Sequence, residues 1–84
     1  MAAGKRFVYL LRSLSTPDEV YIGLTSDVER RLHAHNSGCS PHTAKYRPWR
    51  MLVTIEFPDQ PRAVAFEKYL KSGSGRAFAK RHFE

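Results

Sequence analysis

The chain has 84 residues and a mass of 9.7 kDa, room for one hydrophobic core and no second. Hydrophobic residues make up 42% and aromatics 12%, which excludes disorder throughout. The lone Cys39 excludes an internal disulfide and a cysteine-paired zinc site. Fourteen Lys and Arg against eight Asp and Glu leave a formal charge of +6 and a pI near 9.9. That balance suits phosphate-bearing partners, whether nucleic acid or anionic lipid. The longest apolar run, Phe7–Leu11, is too short to cross a bilayer, and no signal-peptide hydrophobic region follows Lys5 and Arg6. A soluble, cytoplasmic protein in a reducing compartment is expected, with no membrane partner.

Phe7–Leu11 and Val20–Leu24 are rich in strand-forming residues, and Ser13–Glu19 between them carries the turn pair Pro17-Asp18. The two runs predict an antiparallel hairpin. A turn of about five residues sets Tyr9 opposite Tyr21 and Val8 opposite Ile22. One face is then aliphatic (Val8, Leu10, Val20, Ile22, Leu24), and the other carries both tyrosines beside Gly23. Ser26-Asp27-Val28-Glu29 reads as a capping box with Ser26 as N-cap, and Gly38 as the stop of a helix over about 27–37. At about 100° per residue, Val28, Arg31, Leu32 and His35 share the inward arc, while His33 points about 160° away from His35.

Residues 39–50 hold two prolines and no sustained period, which predicts a long basic loop with a short turn of helix at most. Met51–Phe57 alternates as a third strand does. Pro61 opens the next helix with Asp59 or Gln60 as cap, and Ala63, Phe66, Glu67 and Leu70 form its inward arc. Ser72-Gly73-Ser74-Gly75 is expected to break that helix, and Arg76–His82 to form a last short basic one. The expected fold is a single α/β (α+β) domain over 1–84: a three-stranded antiparallel sheet flanked by helices.

Buried charges are costly unless they are paired or used. Arg31, His35 and Glu67 on inward arcs, beside Tyr9 and Tyr21 on one strand face, therefore nominate a site; an Arg31–Glu67 ion pair is the plainer alternative. On these residues the sequence resembles the GIY-YIG endonuclease superfamily, most closely its small single-domain bacterial members. Tyr21-Ile22-Gly23 is the second half of the signature. Phe7-Val8-Tyr9 stands at the first half, keeping its tyrosine and lacking its leading glycine. Arg31 follows Tyr21 by ten residues, His35 comes four later, and Glu67 lies within Phe66-Glu67-Lys68 on a later helix.

The resemblance runs from Arg6 to about Phe83. It implies a DNA endonuclease that hydrolyses phosphodiesters with Mg²⁺ (or Mn²⁺) at Glu67, and with Tyr9, Tyr21, Arg31, His35 and Glu67 as catalytic residues. Many members also carry a functional asparagine near the C-terminus. The only asparagine here is Asn36, and Ser72–Arg76 occupies that region instead.

The chemistry fits those roles. One carboxylate suffices for a Mg²⁺ that keeps most of its waters, and an arginine fork grips phosphoryl oxygens in bidentate fashion. A tyrosine deprotonates water only if its pKa falls well below about 10, which nearby cations promote. Tyr9 or Tyr21 could be that base, with Tyr21 slightly favoured, and His35 could relay a proton or orient phosphate.

Between Glu29 and Glu56 stand Arg30, Arg31, Lys45, Arg47 and Arg50 with no acid, interleaved with His42, Tyr46 and Trp49. Phosphate contacts are expected from Lys45, Arg47 and Arg50, and from Arg76, Lys80 and Arg81 on the last helix. Tyr46 and Trp49 either stack on unpaired bases or close the core beneath the loop; His42 either decorates the loop or folds back over the tyrosines. A domain this small favours DNA structure or ends over a long sequence as target, in repair or recombination. The alternatives are a non-catalytic nucleic-acid-binding module and an interaction subunit active only with a protein partner.

Overall fold

β1 (Arg6–Ser13) is the central strand of an antiparallel sheet, flanked by β2 (Val20–Thr25) on one side and β3 (Trp49–Phe57) on the other. These elements come from a computed structural model that describes residues 5–84, so the domain expected over 1–84 is described from Lys5 onward. α1 (Val28–Asn36) and the one-turn α2 (Pro41–Ala44) separate β2 from β3; α3 (Gln60–Leu70) and α4 (Gly73–His82) follow. The expected α+β class and the three antiparallel strands are both present.

The hairpin register corrects the expected one. Tyr9 pairs with Gly23, Leu11 with Tyr21 and Val8 with Leu24, and the last pair is Arg12 with Val20. The connection needs more residues than a tight turn because it is built around buried Ser13. Ser13 N–H donates to the Glu19 carbonyl at 3.0 Å, and Ser13 Oγ accepts from Thr16 N–H at 2.9 Å while donating to the Tyr46 carbonyl at 2.6 Å. The shift is by two residues, and side chains alternate with period two, so every side chain keeps its expected face.

Helix starts differ from expectation by the same kind of local hydrogen bonding. Asp27, not Ser26, caps α1: its Oδ1 accepts from Arg30 N–H at 3.1 Å, and Thr25 Oγ1 receives Asp27 N–H at 3.1 Å. Asp59, one of the two expected caps, does cap α3, through Arg62 N–H at 2.9 Å. The expected break is present, since α3 ends at Leu70, but the last helix starts earlier than Arg76: Gly73–Gly75 form the first turn of α4, where Ser72 Oγ accepts from Gly75 N–H at 3.2 Å. A Cβ on Gly75 would lie 1.7 Å from the Tyr69 carbonyl oxygen; only glycine lets α4 fold back this tightly on α3.

β3 starts at Trp49, earlier than the expected Met51, and carries a bulge: Leu10 pairs with Val53 but Leu11 with Met51. The extra residue, Leu52, moves Met51 onto the face opposite Val53. Each sheet face then has its own core. Val8 and Leu10 meet Ala63, Leu70 and Ala79 of α3 and α4 on one side. Tyr9, Leu11 and Trp49 gather Tyr21, Leu32, Tyr46 and Met51 on the other, beneath α1. Burying each Val, Leu or larger side chain here contributes about 1.5–3 kcal/mol.

Candidate active site

The tyrosine face holds the site. Tyr9 is 1% exposed, and its ring lies across the backbone of its partner Gly23: a Cβ there would fall 2.4 Å from Tyr9 Cζ and Oη. Any side chain at that position would push the phenol aside. The glycine of Tyr21-Ile22-Gly23 is thus the floor on which Tyr9 rests.

Two turns into α1, His35 is fully buried. Its Nε2 is 2.9 Å from the Tyr9 hydroxyl, and its Nδ1 is 2.7 Å from Thr43 Oγ1. The Tyr21 ring meets His35 edge-on, 4.8 Å between centroids, and stands 6.1 Å from the ring of Tyr9. Arg31, one turn before His35 and half-buried, approaches the hydroxyls of both tyrosines. Hence four of the five expected catalytic residues converge on one patch.

Glu67 comes from α3, on the opposite face of the sheet. Its charge nevertheless reaches Tyr9. Its carboxylate pairs with Lys71 at 3.3 Å, one turn along the same helix; among the described residues the alternative Arg31–Glu67 ion pair does not form.

Burial raises the Tyr9 hydroxyl above its ordinary pKa; Arg31 beside it pulls the other way and is outweighed, and Tyr21 and Glu67 add to the rise. The expected depression by neighbouring cations is therefore overridden by desolvation. His35 is pushed below the ordinary histidine value, first by burial and then by Arg31.

The sign of the resulting pH effect on stability follows directly. Below about pH 6.5 an unfolded histidine takes up a proton that folded His35 refuses, so stability falls as pH drops through that value. Thermal unfolding at about pH 5.5 and about pH 7.5 should show a smaller pH difference in His35→Gln than in the parent. An equal difference in both would assign the effect to other groups.

The expected phosphate-contacting cations do not form one track. Lys45 lies over the Tyr46 ring, 5.2 Å from its centroid, on the tyrosine side. Arg47 folds its guanidinium against Gly38, just beyond α1. Arg50, between Trp49 and Met51 and paired with Arg12, points to the other face. Arg76 and Lys80 line a cleft with Asp18, Glu19 and Glu84, while Arg81 is exposed on the same helix near Phe78 and His82. A bulge and the placement of α4 decide this split, and neither follows from charge counting.

Trp49 is 4% exposed and donates Nε1–H to the Thr43 carbonyl at 2.9 Å. It closes the core and is not free to stack on bases. Tyr46 is half-buried against it, and His42 is exposed.

Two polar residues with structural roles were not expected. Asn36 Oδ1 accepts from Trp49 N–H at 2.6 Å and its Nδ2 donates to the Trp49 carbonyl at 3.1 Å, pinning α1 to β3. Thr43 partners His35. Neither has a periodic signal, because each acts through one long-range contact.

The profile of the GIY-YIG catalytic domain matches residues 5–81. The structure-specific endonuclease subunit SLX1 of Scheffersomyces stipitis is 45% identical over 67 residues, covering 71% of this chain and 20% of that protein. Its namesake in Candida dubliniensis is 39% identical over 82 residues, covering 89% of this chain and 27% of that protein. A UPF0213 protein of Bacillus halodurans, solved by NMR, superposes with a TM-score of 0.55 at 28% identity, covering 94% of this chain and 86% of that one. The chain belongs to the GIY-YIG family. It spans about a fifth to a quarter of the length of the SLX1 relatives. Those relatives are fungal, so the narrower likeness to bacterial members is not borne out by them.

Proposed function

We propose that this domain is a Mg²⁺-dependent, structure-specific DNA endonuclease of the repair or recombination type. The observation that carries this reading is the buried Tyr9 hydroxyl, held 2.9 Å from His35 Nε2 and approached by the Arg31 guanidinium. A phenol is a useful base only if its own proton has somewhere to go. With His35 Nε2 as the acceptor, the Tyr9 hydroxyl can pass its proton inward as it accepts one from an attacking water. The water oxygen then bonds to phosphorus, and the bond from phosphorus to the departing oxygen breaks. Arg31, which keeps its charge at any working pH, stabilises the phosphoryl oxygens as negative charge builds on them. This favours Tyr9 over Tyr21 as base; Tyr21 packs His35 in place and shares Arg31.

Among the described residues no three His, Cys, Asp or Glu side chains converge on a common point, so a protein-caged metal such as tetrahedral zinc does not fit. A single carboxylate suits Mg²⁺ or Mn²⁺, which keep most of their waters, and Glu67, whose charge reaches Tyr9, is the residue that would hold the ion. When bound, the ion supplies Lewis-acid stabilisation of transition-state charge. Lys71 shares the Glu67 carboxylate until then.

The test is cleavage by the purified domain of branched DNA (a flap, a fork and a four-way junction) against linear duplex of equal length, with and without Mg²⁺. Cleavage of the branched substrates alone, and only with Mg²⁺, is expected. Binding without cleavage on every substrate would favour the non-catalytic reading.

A second reading is favoured by the divided cations: on the tyrosine side the domain offers few phosphate contacts of its own. The curated relatives are named as subunits, and a protein partner here would supply the missing DNA grip. Capture from lysate, with and without nuclease treatment, separates a protein contact from one bridged by DNA. For the isolated domain, replacing Lys45 and Arg47 together with alanine should flatten log affinity against log salt by about 1.5 units. An unchanged slope would move the DNA track to Arg76, Lys80 and Arg81.

A further inference from the structure

His35 makes a second hydrogen bond that the Tyr9 contact leaves unexplained. Its Nδ1 lies 2.7 Å from Thr43 Oγ1, and Thr43 is 1% exposed. The Thr43 hydroxyl in turn donates to the Ser40 carbonyl at 3.4 Å, across the first turn of α2. A hydroxyl whose only hydrogen is committed to a carbonyl can offer a ring nitrogen nothing but a lone pair. With that hydrogen on the Ser40 carbonyl, the 2.7 Å contact takes its hydrogen from Nδ1. In a neutral imidazole this leaves Nε2 bare, as an acceptor aimed at Tyr9. The Thr43 hydroxyl is itself held in place, because its own residue's carbonyl receives Trp49 Nε1–H at 2.9 Å.

We propose that Thr43 is a positioning residue that holds His35 in the Nδ1–H tautomer, so that Tyr9 gives its hydroxyl hydrogen to Nε2. Tyr9 then turns its lone pairs toward Arg31 and the attacking water. This rests on the nuclease reading of the site. In the opposite tautomer Nε2–H would donate to the Tyr9 oxygen, and the ring could accept no proton from it. During the relay a water proton arrives at Tyr9 Oη as the phenol proton leaves for Nε2, and Nδ1–H stays on Thr43 Oγ1 throughout. The titratable and charged groups facing the ring are Tyr9 from β1, Tyr21 from β2 and Arg31 from its own helix; α2 faces it with the neutral hydroxyl of Thr43.

The experiment is long-range ¹H–¹⁵N correlation NMR of the His35 ring in the parent, Thr43→Ser and Thr43→Val, alongside cleavage and affinity for a four-way DNA junction. In the parent and Thr43→Ser, Nδ1 should be the protonated nitrogen and Nε2 the bare one. Thr43→Val keeps the shape but removes the acceptor, and should give a mixed or reversed tautomer. Its cleavage rate should fall about tenfold to a hundredfold at unchanged junction affinity, the scale of losing residues that orient metal-bound imidazoles, and recover in Thr43→Ser. A ring protonated at Nε2 in the parent, or an unaltered tautomer in Thr43→Val, overturns the proposal. If the parent cuts no DNA while the tautomers behave as stated, the nuclease reading fails and the hold of Thr43 on His35 stands. Should Thr43→Val not fold, the tautomer of the parent decides.

Discussion

Glu67→Gln is expected to lower the cleavage rate about a thousandfold or more, since losing a metal's transition-state stabilisation costs several kcal/mol and each 1.36 kcal/mol is tenfold. The amide keeps the carboxylate's shape and loses its charge, so it is a poor ligand for a hard cation. Folding should be almost unaffected. The Glu67 side chain is 20% exposed, and its salt bridge is to Lys71, itself 52% exposed, one turn along α3; such a pair contributes only about 0.3–0.5 kcal/mol. The comparison is a single-turnover rate at saturating Mg²⁺ together with a thermal melt. A variant that cuts at the parental rate at the parental Mg²⁺ optimum would remove Glu67 from the metal site.

Tyr9→Phe should cost about a hundredfold to ten-thousandfold in rate, the range supplied by a positioned general base. Tyr21→Phe should be far milder, because its ring packs the edge of His35 while the short hydrogen bond belongs to Tyr9. The Tyr9 substitution also strands a buried His35 nitrogen, which costs about 1–3 kcal/mol of stability. Rates must therefore be compared well below the melting range of the variant. Two equally mild effects would mean that neither tyrosine takes the proton of water. A severe Tyr21→Phe with a mild Tyr9→Phe would restore the preference for Tyr21 that the sequence suggests.

Much of this was legible in one sequence. The inward arcs of the helices nominate Arg31, His35 and Glu67 because a charge on an apolar stripe has no cheap structural reason to be there. The alternation of β1 and β2 puts both tyrosines on one face whichever even register the hairpin adopts, which is why a two-residue error in pairing left the site intact. Helix starts were misplaced by a residue or more at Ser26 and Arg76, since several Ser and Asp side chains in a row can all serve as caps and only tertiary contacts choose among them.

What the sequence alone determined is the set of candidate site residues and their faces, because periodicity is a local property of the chain. Tertiary structure decided everything that depends on a particular distance. The bulge at Leu52 turned Met51 toward the tyrosines, and the alternation beyond it left Arg50 on the far face. The fold of α2 brought Thr43 to His35. Burial raised the Tyr9 pKa against the pull of Arg31, so in the proposed mechanism a Tyr9 base must hand its proton on, and the hydrogen bond to His35 is where that proton would go. Desolvation depends on how much of the chain closes over a group, a sum over contacts remote in sequence, and no spacing along the chain records it.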